Sequence, residues 1–417
     1  MLASWTTFLL RFIPQIYQDA QLPSSCLQQS QTIQGLATCL DKFTIPHDTY
    51  APWTYALAQP TANQRKDWKL TVKSLLEVDG NCSATLPPLS LRGLYDIEPF
   101  KDYCVLYETS TQCGTYLKGW GFMVVPAFRG AVSRSVHVSA PHPGYDLGTV
   151  EQAASVFETT GSKSLLVPGR TRTAFLESSD CIVPVSSKQD YYMTDPAHND
   201  LEPFFDASVS IYDWQQEQGG CPSSTCAFVQ FHGKGPSTCA SDDVFLSSGI
   251  GNSPASKTWY SDPTDRPIKR FQQNLQHAFP SWNINLPSDS NCPLTATKNV
   301  VGRHLNGIQV HNVCSKGATS RMATGEFVHA EQASLARDTR FYDGWSQAMI
   351  DTFDATCVDG MVVDPKTKMC MGVLGSNAKP QEDVHDHNHQ VVNRRMDGMD
   401  GPTQNQWYTF LSSFILF

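Results

Sequence analysis

One stretch does most to limit what this chain folds into: Val136-His137-Val138-Ser139-Ala140-Pro141-His142-Pro143-Gly144-Tyr145-Asp146-Leu147-Gly148-Thr149. Its first residues read as a buried strand that stops at a Pro-Gly turn, and Thr149-Val150-Glu151-Gln152-Ala153-Ala154 opens a helix directly afterwards. A strand-to-helix turn at a sheet edge is where α/β proteins place their chemistry. His142 and Asp146 lie four residues apart across that turn, so both can fold toward one point. An imidazole and a carboxylate supply two of the three protein ligands of a catalytic zinc site, whose fourth position stays open for water.

Beyond about residue 120 the same alternation continues. Segments 121–126, 135–140, 164–168, 226–231, 243–248 and 326–331 read as strands. Helices are expected over 149–159, 201–215 and 339–355, and Ile268, Phe271, Leu275 and Phe279 mark another near 265–280. The pattern predicts an α/β protein with three layers, α/β/α, around a mixed, mostly parallel sheet. Residues 21–120, with five cysteines and helical spacing at Trp68, Val72, Leu75 and Leu76, read as an N-terminal extension packed on a catalytic domain over 121–374. Residues 1–20 form a poor targeting segment, apolar but interrupted by Arg11. Residues 375–417 read as a polar, His- and Asp-rich tail, disordered or packed on the domain. Its apolar end is too short to span a bilayer and carries only a weak lipid-anchor signal.

Composition narrows the functional class. A net charge of −9 and the lack of a basic, aromatic-interleaved patch argue against nucleic acid as a partner. The thirteen cysteines are dispersed and form no paired C-x-x-C modules, which points to disulfides rather than a zinc ribbon. The odd count leaves at least one thiol over. With the sequon Asn81-Cys82-Ser83, this predicts a secreted or extracellular glycoprotein, with cell-surface anchoring left open.

Phe228-Val229-Gln230-Phe231-His232-Gly233 is a second strand ending in a histidine, and His232 is the candidate third metal ligand. Glu331, at the end of the strand Phe327-Val328-His329-Ala330-Glu331, is the candidate general base, because a carboxylate there is costly unless functional or paired. Arg337, six residues on, is either its ion-pair partner or a further cation for substrate. Arg303, between glycines at 302 and 307, is the candidate oxyanion or carboxylate binder, followed by Arg170 and Arg172. His198, in Thr194-Asp195-Pro196-Ala197-His198-Asn199-Asp200, is a further candidate, although Asp195 or Asn199 reads as a helix cap. The string Val384-His385-Asp386-His387-Asn388-His389 has metal-like chemistry but no element to fix its geometry. No G-x-S-x-G element is present.

In this order, the His142/Asp146 turn, His232-Gly233 and Glu331 resemble the zinc hydrolase superfamily of metallocarboxypeptidases and N-formylglutamate amidohydrolases. Poly-γ-glutamate hydrolases, with a His-Gly-Gly-Gly-x-Glu-x-Gly-Thr motif after Ala-Pro, are the nearest comparison. The resemblance, over roughly 135–340, implies Zn2+ held by His142, Asp146 and His232, with Glu331 as base. It implies an amide- or peptide-cleaving enzyme whose small-molecule or peptide substrate bears a carboxylate. Two departures stand out: the acidic ligand is Asp, one residue closer to its His, and Pro143 replaces a glycine. The rival expectation is a catalytically silent, disulfide-stabilised extracellular binding protein on the same scaffold.

Overall fold

A computed structural model describes residues 22–184 and 191–372. The expected targeting segment at 1–20, the tail at 375–417 and the His385 string lie outside the described residues.

Four helices come first: α1 (Pro23–Gln29), α2 (Ile33–Asp41), α3 (Pro52–Ala58) and α4 (Ala62–Leu76). The Thr61 hydroxyl accepts from the Gln64 N–H, and the Gln64 side chain accepts from the Thr61 N–H, so α4 opens with a capping box. Strands β1 (Tyr95–Phe100) and β2 (Tyr103–Glu108) follow, then a short ribbon of β3 (Thr111–Gln112) and β4 (Thr115–Tyr116), then β5 (Phe122–Pro126). The alternating region runs β6 (Arg134–Ser139), α5 (Thr149–Thr160), β7 (Ser162–Val167), α6 (Pro203–Glu217) and β8 (Cys226–Gly233). After it come β9 (Val244–Ser247), α7 (Pro254–Ser261), α8 (Pro267–Ala278), β10 (Ile284–Asn285), α9 (Val300–Leu305), β11 (Phe327–Gln332) and α10 (Tyr342–Thr352). A hairpin of β12 (Met361–Val363) and β13 (Cys370–Gly372) closes the described chain.

One nine-stranded sheet has the order β1-β2-β5-β7-β6-β8-β11-β9-β10. Its centre, β7-β6-β8-β11, is parallel, whereas β1, β2 and β5 pair antiparallel and β9 runs against β11. The expected α/β class with a mixed sheet is what forms. β1 and β2, from the segment read as an extension, continue this same sheet through β5.

Strand alternation sorts the core into two faces. Val136, Val138, Val229, Phe231, Val328 and Ala330 pack on one side with Phe157 of α5 and Trp345 of α10. Met123, Val125, Leu166, Phe228 and Phe327 pack on the other with Trp68 of α4 and Phe204, Phe205 and Trp214 of α6. Helices α5 and α6 therefore cover opposite faces. The chain goes from β6 through α5 to β7 on one side of β6, then through α6 to β8 on its other side. The strand order thus reverses between β6 and β8, and a crevice opens at the carboxyl ends of strands at such a point.

Six disulfides join Cys26–Cys39, Cys82–Cys104, Cys181–Cys314, Cys221–Cys226, Cys239–Cys292 and Cys357–Cys370. This density fits an oxidising, extracellular setting. Cys113 is free and exposed, as an odd count requires. Among the described residues no helix is long and apolar enough to cross a membrane.

Arg170 corrects an expectation. It is fully buried, and its guanidinium donates to both Glu202 oxygens at 2.8 and 2.6 Å, beneath the Tyr55 ring. It ties the loop after β7 to the start of α6 and does not face substrate. Arg170→Met should strand the Glu202 carboxylate and destabilise the fold by about 3–5 kcal/mol. Chemical denaturation measures this; a loss under about 1 kcal/mol would show the pair to be dispensable.

Candidate metal centre

After β6 the chain turns sharply. The Tyr145 and Asp146 N–H groups both donate to the His142 carbonyl, at 3.2 and 2.9 Å, so Asp146 folds back over His142. Gly144 has a φ of +66°, a left-handed conformation that makes the turn possible. The Thr149 hydroxyl, opening α5, donates to the Asp146 carbonyl at 2.7 Å and anchors the far end. On β8, Gln230 and His232 are in phase with Phe228, so both point to the α6 face. On β11, His329 and Glu331 are in phase with Phe327 and do the same. The parallel register sets Glu331 beside His232.

His142 Nδ1, His232 Nδ1 and Asp146 Oδ2 converge. His142 Nδ1 lies 3.0 Å from the carboxylate oxygen and 3.3 Å from His232 Nδ1, and His232 Nδ1 lies 3.5 Å from the same oxygen. All three side chains are buried. The outward nitrogens decide what faces inward. His142 Nε2 lies 3.2 Å from Asp195 Oδ1, a carboxylate that only accepts. His232 Nε2 lies 3.3 Å from Gln230 Oε1, and Asn299 Nδ2 donates to that same oxygen at 2.7 Å, which fixes the amide with its oxygen toward His232. Each Nε2 therefore carries a proton, and in the neutral ring each Nδ1 presents a lone pair to its neighbour.

Three lone-pair groups at such separations need a cation between them. The spacing suits one: tetrahedral ligands at about 2.0–2.2 Å from zinc stand about 3.3–3.6 Å apart. Without a metal, a proton serves instead. Burial and Arg172 lower the His142 pKa, but Asp146 and Asp195 outweigh them and hold it above its usual value. Burial alone would raise Asp146, yet His142 and His232 hold its carboxyl far below the carboxylate range. Asp195 and Gln230 stand where the outer partners of metal-ligating imidazoles stand.

The centre opens into a cavity of about 620 Å³, walled by Tyr145, Arg172, Tyr191, Tyr192, His198 and the segment Pro293–Asn299. Glu331 lines it, and burial, reinforced by Asp146, pushes its carboxyl from 4.5 up to about 8. Glu331 Oε1 stands 3.5 Å from His329 Nε2. His329 is buried, and that burial, together with its histidine neighbours, holds it neutral well below the usual imidazole range.

The remaining candidates divide. Arg172 lines the cavity, bonds to Asp195 and lies over the Tyr145 ring, 5.2 Å from its centroid. His198 also lines it, stacked on Tyr191 at 4.0 Å, with Nδ1 3.0 Å from Asp195 Oδ2 but out of line for a hydrogen bond. Arg303 does not line it. Its guanidinium donates to the carbonyls of Thr297, Val313 and Cys314 at 2.8, 2.6 and 3.2 Å. The glycine at 302, expected to expose Arg303, instead packs on Phe327 inside α9. Arg337 neither reaches the cavity nor pairs with Glu331; it donates to the Leu147 carbonyl at 2.6 Å and lies against Gly233. Sequence reading named Asp195 only as a cap. Buried, it meets Arg172, His198, His142 and the Ala197 N–H; against its burial, Arg172 and the two histidines hold it well below the carboxylate range.

No protein-family model matches the chain, and no curated protein matches it. Among solved structures, a bacteriophage poly-gamma-glutamate hydrolase is 17% identical with a TM-score of 0.28, covering 53% of this chain and 85% of its own. A gene product of Agrobacterium tumefaciens is 14% identical with a TM-score of 0.29, covering 54% and 87%. The LapA aminopeptidase of Legionella pneumophila is 11% identical with a TM-score of 0.30, covering 79% and 70%. Likeness this shallow assigns no activity.

Replacing Gln230 by Met keeps the volume but removes the acceptor that fixes His232. Zinc affinity should fall about 10–100-fold, read by competition with a chromogenic chelator. Unchanged affinity would mean that His232 Nε2 is not the oriented nitrogen.

Proposed function

We propose that this protein is a secreted zinc-dependent hydrolase that cleaves an amide or peptide bond in a substrate bearing a carboxylate. The observation that carries the reading is the inward-facing set of two imidazole lone pairs and one carboxylate at 3.0–3.5 Å, opening on a cavity. A zinc ion held by His142, Asp146 and His232 would supply Lewis acidity, activating water and polarising a carbonyl.

The other tasks fall to this chain's own groups. Glu331 stands at the cavity wall next to His232 in the strand register, placed to hold a proton on its carboxylate. It takes one proton from the attacking water and delivers it to the leaving nitrogen, so that OH ends on the acyl carbon and H on the amine. Burial raises its pKa, which makes the carboxylate a stronger base toward water than an exposed one. His142 is held in orientation by Asp195, and Arg172 holds Asp195 in turn, so Arg172 reaches the chemistry through its partner. Tyr145, Tyr191 and Tyr192 line the cavity.

Glu331→Gln should retain one zinc per chain and lower kcat by about 10²–10⁴-fold on an amide substrate. Loss of zinc together with activity would reassign Glu331 to the ligand set. A substrate-free measurement uses the sign of its pKa shift. Between about 4.5 and about 8 the folded metal-free protein keeps a proton that the unfolded chain has lost, so stability falls as pH rises through that window. The gain in unfolding temperature of Glu331→Gln over the parent should therefore grow from pH 5 to pH 8. A flat or shrinking difference contradicts a buried, destabilised carboxyl.

A further inference from the structure

Arg172, His198 and Lys298 line the cavity, and the first two already face a carboxylate. Arg172 is bonded to Asp195, and His198 lies against the same carboxylate. Lys298 is different. Its Nζ is shielded from solvent and has no hydrogen-bond partner; its contact is the face of the Tyr191 ring, 5.1 Å from the centroid. Desolvation, helped by nearby Arg303, lowers its pKa, so the protein gives this ammonium no compensating anion. A shielded amine without an acceptor is unfavourable, and native folds seldom keep one without a use.

The position of Lys298 is rigidly referenced to the metal centre. The next residue, Asn299, caps α9 through the Gly302 N–H at 2.9 Å and donates to Gln230, which orients His232. On its other side, the Thr297 carbonyl is held by Arg303 at 2.8 Å. The segment from Pro293 begins at Cys292, which is disulfide-bonded to Cys239. The amine thus rises on a flexible stem from a fixed backbone, beside the cavity and one step from the groups that set the centre.

We propose that Lys298 forms the anion subsite of this cavity, and that it receives a substrate carboxylate while the bond to be cleaved lies at the His142/Asp146/His232 centre. The inference rests on the hydrolase reading for the word substrate, but the subsite itself is built from this chain's side chains alone. A carboxylate entering the cavity supplies the acceptor that the ammonium lacks. Arg172 already faces the Asp195 carboxylate, which offsets its charge, whereas the Lys298 ammonium has no such partner. Tyr191 guides the amine by holding it over the ring face until the anion arrives.

The test uses the full-length protein, stripped of metal, with glutarate as the probe in calorimetric titration. The parent should bind one glutarate per chain. Lys298→Met, which keeps the apolar stem over Tyr191, should weaken binding about tenfold or more, and Lys298→Arg should stay within about threefold of the parent. Unfolding temperatures of the variants confirm that they are folded. Glutarate binding to Lys298→Met as tight as to the parent, or no saturable binding to the parent, overturns the proposal. Zinc titration of the same samples separates the two readings. Failure of zinc to bind while glutarate follows Lys298 removes the hydrolase reading and leaves the anion subsite; zinc uptake with glutarate indifferent to Lys298 does the reverse.

Discussion

Two hydrogen bonds on the far side of the histidines govern the centre. The His142 Nε2–H donates to Asp195, and the His232 Nε2–H donates to Gln230. With both outer nitrogens donating, the inner nitrogen of each neutral imidazole accepts, and Asp146 adds a third acceptor at 3.0 and 3.5 Å. Unsatisfied lone pairs packed this closely in a buried place are tolerable only around a cation. The outer shell is itself secured: Asn299 fixes the Gln230 amide, and Arg172 bonds to Asp195.

The fold explains why these groups meet. β6 and β8 are neighbours whose connecting helices cover opposite faces, so the loop after β6 and the end of β8 border one crevice. Strand alternation then does the sorting. The face that carries Phe228 and Phe327 deeper in the sheet carries Gln230, His232, His329 and Glu331 as the strands emerge. The disulfides reinforce the rim: Cys239–Cys292 precedes the wall segment Pro293–Asn299, and Cys181–Cys314 ties the loop beyond α9.

Much of this was legible in the chain. The central strands and their helices follow from apolar runs and caps, and the proximity of His142, Asp146 and His232 follows from their places at strand ends. The polar residues at two-residue spacing in Phe228-Val229-Gln230-Phe231-His232 already mark one face of a buried strand. What stayed hidden depends on contacts between distant segments. Asp195 sits in an irregular loop where an Asp commonly caps a helix, and only its meeting with His142 and Arg172 shows otherwise. Arg170 and Arg172 are two residues apart, yet one is sealed against Glu202 and the other faces the cavity. Glycine beside Arg303 suggested exposure, whereas the glycine is there to admit Phe327. β1 and β2 were hidden because their segment reads as short apolar runs and turn residues in an extension packed on the core.

The most direct test is anomalous diffraction from crystals grown with zinc, with data collected on both sides of the zinc edge. The account predicts one strong peak per chain, within about 2.0–2.2 Å of His142 Nδ1, His232 Nδ1 and an Asp146 carboxylate oxygen. A peak bound instead through an Nε2 atom, or no peak at this centre in zinc-saturated crystals, would contradict it.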